Sequence, residues 1–397
     1  MKILKNLRSD MDTEDNLFFY FGIKTYKDED VDVLTPALGS NSYTQCFSHL
    51  QLPSKCKVID VFLGWINLIF YTSKNVFKDL EVHKTIKDNK QEFNFANELN
   101  EAFYRITHCP SESEEHSKEA FSSIKHMGIN NISIGLNYTF LTTSDGRCYF
   151  YFNKNIFSEP VDLTPSILRT KNVITEDLYS VILAEDGKVF KFKYEEKPCL
   201  EELIVPVPIK EIACGKEHVL LLSEFGTVFS YGFGSHGQLG LGNIGNQETP
   251  ELVEALNGLK IISISAGGWH SAAISESGDL YMWGWNESGQ LGFPCNKLQN
   301  GERPKEEIET ICCLPKIVDL DDETVVAVSC GSRHTVALTE NNHVWTWGWN
   351  GYSQLGRDDV SLSDKPQRIQ LPKSFLTFQI KAKFWSTLVI GCLGASA

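Results

Sequence analysis

Apolar runs of about six residues, closed by glycine turns, recur along the C-terminal half of this chain. "HVLLLSE" (218–224) and "TVFSYG" (227–232) flank the turn Glu224-Phe225-Gly226. "SAAISESGDLYMWGW" (271–285) reads the same way around Gly278. Aliphatic, β-branched and aromatic runs on either side of such a turn predict β-hairpins.

The hairpin is one part of a longer repeat. "VFSYGFGSHGQLG" (228–240), "LYMWGWNESGQLG" (280–292) and "VWTWGWNGYSQLG" (344–356) share a pattern, and a second shared block precedes each. Gly215 to Gly232, Gly267 to Gly284 and Gly331 to Gly348 are each 17 residues apart, and His218, His270 and His334 hold one register. The small residues before each histidine (Ala213-Cys214-Gly215, Ser265-Ala266-Gly267, Ser329-Cys330-Gly331) predict an inner strand with little lateral room. The exits "GQLG" and "SQLG" carry glycines that can take positive φ.

Weaker copies lie at 58–77, 132–152 and 173–192. The stretch 379–392 is a first half without a second, and "LFFYFG" (17–22) supplies a matching second half. A single sheet of this kind cannot bury both faces, so the repeats must stack, and radial stacking leaves only short protected edges. The expectation is an all-β fold: one seven-bladed β-propeller domain over 1–397, closed by N- and C-terminal strands. Two stretches break the repeat. Residues 82–126 read as a partly disordered acidic insertion around Glu112, Glu114 and Glu115, and 293–316 as a loop insertion. Such insertions map to one face, often the binding face, which makes Glu114 and Glu115 candidate partner contacts.

Composition narrows the partners. Lys+Arg 37 against Asp+Glu 51 gives a net charge of −14, which opposes a general phosphate-binding surface and suits basic partners. No direct nucleic-acid binding is expected. The 11 cysteines form no C-x-x-C pair and read as free thiols in a reducing compartment. The start lacks an apolar signal core and no apolar run is long enough to span a bilayer, so neither secretion nor membrane insertion is expected.

Motifs of chemistry are sparse. "GFGSHG" (232–237) fits G-x-G-x-x-G, but a hairpin exit precedes it and no helix follows, so no dinucleotide is expected. The repeat histidines fall on different blades and cannot converge on a metal; they are expected to bond blade backbone groups. No nucleophile elbow or ordered triad occurs, so no enzyme is expected. Asp321-Asp322-Glu323 read as a solvated turn. Glu217, Trp269 and Arg333 each immediately precede the repeat histidine, and form a varied ring if those positions share a surface. They are packing residues or interface anchors, and aromatic and Arg residues are the usual anchors. Asn286, Glu287 and Asn350, in loops after the Trp-Gly-Trp strand, carry the same alternatives.

The blocks C-G-x-x-H, then a hydrophobic strand, then W-G-x-N-x-x-G-Q-L-G, resemble the repeat of the regulator of chromosome condensation family. The match is specific across about 205–372 and extends to that family's small, single-propeller members. The resemblance implies a nuclear, chromosome-associated scaffold that engages a Jumonji-C histone-modifying oxygenase, and histones or chromatin through it. The alternative it implies is nucleotide exchange on a Ran-like GTPase; the short N-terminal stretch of mixed charge does not favour it. The three N-terminal copies depart from the pattern: Asn67, Tyr138, and Leu178 or Tyr179, stand near the histidine position. The closing copy has Phe384 and Trp385.

Overall fold

The computed structural model describes residues 129–393, apart from 136, 153–160, 165–168, 177, 299–307, 358–359 and 372, and the backbone of five strands before them. The expected insertion at 82–126, with Glu114 and Glu115, lies outside the described residues. The described strands form seven antiparallel sheets, six of four strands and one of three, which is consistent with the seven expected blades. By contact the chain divides into two compact units, Thr25–Val31 with Leu50–Glu202, and Met1–Lys24 with Asp32–His49 and Leu203–Ala397.

The unit built around 50–202 holds the degenerate copies. Blade one is Val58–Leu63, Asn67–Thr72 and Phe77–Glu81. Blade two is Ile129–Ile134, Tyr138–Thr143, Cys148–Phe152 and Val161–Asp162. Blade three is Thr170–Thr175, Ser180–Ala184, Val189–Tyr194 and Pro198–Leu203. Tyr138 pairs with Phe152 as His218 pairs with Gly232, so a tyrosine takes the histidine register here. Aromatic edges fill the join between these blades: Phe150 meets Phe192 at 4.8 Å and Phe152 meets Tyr194 at 4.7 Å.

The other unit holds the strong repeats. Blade four is Ile209–Cys214, His218–Ser223, Val228–Gly232 and Gln247–Leu252. Blade five is Ile261–Ala266, His270–Ser275, Leu280–Trp285 and Ile311–Val318. Blade six is Val325–Cys330, His334–Thr339, Val344–Trp349 and Leu362–Arg368. Blade seven joins Phe375–Lys383 and Ser386–Leu393 to Asn16–Phe21 and Thr44–Phe47, which is the shared closing sheet read from the sequence.

Successive strong blades are joined by a repeated polar clasp. The His218 imidazole Nε2 lies 2.8 Å from Ser271 Oγ, His270 Nε2 is 3.0 Å from Thr335 Oγ1, and His334 Nε2 is 3.0 Å from Thr387 Oγ1. Each histidine therefore bonds a side-chain hydroxyl of the next blade, which corrects the expectation that it bonds backbone. The Ser271 hydroxyl donates in turn to the Gln238 carbonyl at 2.8 Å, and Thr335 to Gln290 at 2.8 Å. A hydroxyl has one proton and a carbonyl can only accept, so Nε2 of His218 and His270 must carry the hydrogen. The same two carbonyls accept from the buried indoles of Trp283 and Trp347, each at 2.9 Å. The "QLG" loop of one blade is thus held by a hydroxyl and a tryptophan of the next.

The glycine of C-G-x-x-H makes room for this clasp. A Cβ on Gly215 would sit 2.3 Å from His218 Cε1 and 2.3 Å from the Gly267 carbonyl oxygen of the next blade. Burial lowers the pKa of all three histidines to about 3, so they are neutral in the folded protein.

The turn at Asp321-Asp322-Glu323 also differs from expectation. The Glu323 side chain is 7% exposed and accepts from Thr339 Oγ1 at 2.6 Å, His343 Nδ1 at 2.7 Å, Trp345 Nε1 at 3.2 Å and Arg368 at 2.7 Å. Burial would raise its pKa, but the hydrogen bonds from Thr339, His343 and Trp345 prevail and hold it below the usual carboxylate range. It ties together the strands of blade six and is not a solvated turn residue.

Candidate functional site

Two sets of loops meet at one end of each strong blade. The first set follows the inner strand and ends at Glu217, Trp269 or Arg333. The second follows the third strand. They are held together by one backbone bond per blade: Phe233 N–H to the Glu217 carbonyl, Trp285 N–H to Trp269 and Trp349 N–H to Arg333, each 2.8 Å. The residue before the second loop is Gly232, Gly284 or Gly348, with φ of 115°, 105° and 104°. That left-handed kink breaks the strand alternation, so Trp283 stays in the core while Trp285 turns onto the loop end. A Cβ on Gly284 would lie 2.6 Å from the Trp269 carbonyl oxygen. Gly284→Ala is expected to cost about 2–4 kcal/mol from strain and overpacking together, checked by urea unfolding.

The loop end carries a chain of ring and charge contacts from blade four to blade seven. Trp269 Nε1–H donates to Glu217 Oε2 at 3.0 Å, and the Lys216 ammonium lies 4.9 Å from the Trp269 ring centre. Trp269 meets Trp285 edge-to-face at 5.3 Å and 85°, with His236 5.0 Å from Trp285. The Arg333 guanidinium covers Trp285 at 4.6 Å and reaches Glu287 at 3.7 Å; Lys297 reaches the other oxygen of Glu287 at 3.4 Å. Beyond Arg333, Trp349 packs against Trp385 at 4.7 Å and against Tyr352 at 5.0 Å. Trp385 occupies in blade seven the position that Arg333 holds in blade six, since Ala382 pairs with Thr387 as Cys330 pairs with Thr335.

All these rings are partly exposed, whereas Trp283 and Trp347 are fully buried. The exposed rings are fixed by neighbours before any partner arrives, so little rotamer freedom remains to be lost on binding. Charges on the face nearly balance, and each cation already rests on a ring or a carboxylate. This suits a protein surface better than a phosphate chain.

Four of the sequence candidates, Glu217, Trp269, Arg333 and Glu287, are brought into one network. Asn286 and Asn350 are not. Asn286 is fully buried, donates from Nδ2 to Phe293 O and Glu309 O, and accepts the Leu291 N–H; Asn350 makes the matching bond to Leu355 and is 5% exposed. Their amides shape the exit loop from inside, which corrects their assignment as partner contacts. Trp285, Trp349, Trp385, His236 and Tyr352 escaped the sequence reading as contacts. The signal for the first two is a tryptophan directly after a strand glycine.

Among the described residues no group of three or more His, Cys, Asp or Glu side chains is placed to hold a metal ion. Burial pushes the Cys148 and Cys330 thiols up to about 12 and Cys312 to about 11, which keeps them protonated. Among the described residues no helix is long and apolar enough to cross a membrane.

The family model of the regulator of chromosome condensation (RCC1) repeat matches residues 226–274, 277–338 and 341–382, the stretch that builds the clasp and most of the loop face. These are regulator of chromosome condensation repeats. The chain is 41% identical over 195 residues to mouse RCC1 domain-containing protein 1, covering 43% of this chain and 52% of that protein. It is 37% identical over 223 residues to the human protein of that name, covering 48% of this chain and 58% of that protein. The chain thus spans about half the length of the curated relatives it matches. Among solved structures, Prp20p from Saccharomyces cerevisiae, described with its binding to Gsp1p and histones, superposes with a TM-score of 0.70 at 17% identity over 99% of this chain and 95% of that one. The RCC1 repeats use the propeller fold, and this chain has it.

Proposed function

We propose that this chain is a non-catalytic protein-interaction module whose loop face, from Glu217 to Trp385, seats a protein partner. The observation that carries this reading is the run of pre-ordered, partly exposed aromatic rings with Arg333 at its centre, the residue types that dominate binding energy at interfaces. Its finer form is a chromatin scaffold in the nucleus that engages a Jumonji-C histone-modifying oxygenase. Support for that form is the repeat pattern and the 37–41% identity to the RCC1 domain-containing proteins over about half of each.

The test uses purified full-length chain in two assays. Calorimetric titration with a Jumonji-C oxygenase is expected to show saturable binding, weakened at least about tenfold by Trp285→Ala with Arg333→Ala. Release of labelled GDP from a Ran-type GTPase is expected to stay at its spontaneous rate. That second arm is included because Prp20p, of the same fold, is described with Gsp1p and histones. Accelerated GDP release without oxygenase binding would replace the scaffold reading by nucleotide exchange.

A further inference from the structure

The outer flank of blades four and five, beside the loop face, carries large apolar side chains in water. Ile244, in the exit loop of blade four, is 59% exposed. Ile311, Leu314 and Ile317 are 40%, 48% and 57% exposed on the outermost strand of blade five. The two stretches adjoin. The Gly242 N–H bonds the Cys313 carbonyl at 2.9 Å, and a Cβ on Gly237 would lie 3.0 Å from Ile311 Cγ2. Contiguous apolar surface of this kind on a folded protein marks a place where something binds.

Charge says what. No Lys or Arg occurs between Lys216 and Lys260, a stretch holding five glutamates. Three of them, Glu248, Glu251 and Glu254, are exposed along the outer strand of blade four and the turn of 3-10 helix after it, which packs against the outer strand of blade five. Among the described residues none of the three has a cationic partner. The nearby cation Lys316 is held by Glu309.

The geometry points to a second docking surface here, for a cationic polypeptide segment that also carries large apolar side chains. The apolar patch supplies contact area and the unpaired glutamates select the sign of the partner. A neutral apolar segment would gain nothing from the glutamates, and a purely cationic one nothing from the isoleucines. The surface shares no side chain with the loop-face network, so it stands or falls independently of the function proposed above.

The probe is a short fluorescent peptide alternating arginine with leucine and phenylalanine, titrated into full-length protein by anisotropy. Binding is expected, with about a tenfold loss on Ile244→Ser with Ile317→Ser and a similar loss on Glu248→Gln, Glu251→Gln and Glu254→Gln together. All five positions are exposed, so unfolding midpoints should hardly move. Glu195→Gln with Glu196→Gln, the same kind of charge change in blade three, should leave affinity within about twofold. A peptide with serine in place of leucine and phenylalanine should bind about tenfold more weakly. Equal losses at the control glutamates, or undiminished binding of the serine peptide, would reduce the effect to general charge attraction and overturn the proposal.

Discussion

Lowering the pH from about 7.5 to about 5.5 is expected to remove about 4 kcal/mol of folding stability through three histidines. His218, His270 and His334 have an ordinary pKa near 6.5 when unfolded, but burial lowers it to about 3 in the fold. Between those values the unfolded chain binds a proton at each site and the folded chain does not. Stability therefore falls as pH drops below about 6.5, and goes on falling until the folded pKa is reached. Each site contributes about 1.4 kcal/mol over this interval. Glu323 acts lower: its depressed carboxyl stabilises above the ordinary carboxylate range and loses that effect only as pH falls through its folded pKa. Urea unfolding at both pH values measures the total. His270→Gln should reduce the pH-dependent loss by about a third, whatever its own cost at neutral pH. An unchanged pH dependence in that variant would mean that His270 takes up its proton as readily in the fold as in the unfolded chain.

Trp347→Ala is expected to cost about 3–5 kcal/mol, and Trp349→Ala, two residues along the same strand, less than about 1.5. Trp347 is fully buried between blades five and six, among Met282, Leu291 and Ala337, and its indole N–H bonds Gln290 O. Truncation leaves a cavity and removes one of the donors that hold the preceding loop. Trp349 lies past the Gly348 kink and packs on Tyr352 and Trp385 at the surface. Trp347→Phe should fall between, at about 1–2 kcal/mol, because the ring survives and the hydrogen bond does not. Urea midpoints of the three variants check the order. Equal destabilisation by the two alanine variants would contradict the division into a structural and a displayed tryptophan.

Much of the fold is legible in the sequence because its signals are periodic. The hairpin turns at Gly226 and Gly278, the common histidine register and the half-repeat at 379–392 each have one physical meaning, and the strands fall where they indicate. The site is less legible. Glu217, Trp269 and Arg333 were found by register, since the residue before the histidine lies at the same end of every blade. Trp285 and Trp349 were hidden because alternation alone places them on the same side as Trp283 and Trp347, and only the positive φ of Gly284 and Gly348 re-aims them. Asn286 and Asn350 look like exposed loop residues, yet the loop folds around their amides. Glu323 reads as one carboxylate of a charged turn because its partners His343 and Trp345 lie on one later stretch of chain and Arg368 on another.

The most direct test of the loop face as a docking surface compares three tagged full-length proteins in nuclear extract: the natural chain, Trp285→Ala with Arg333→Ala, and Ile244→Ser with Ile317→Ser on the separate flank. Bound proteins are quantified by mass spectrometry after each variant is shown to unfold near the natural midpoint. A Jumonji-C protein recovered with the natural chain and the flank variant, but reduced at least about tenfold with the loop-face variant, is the predicted result. Equal recovery by all three would contradict the assignment of that face.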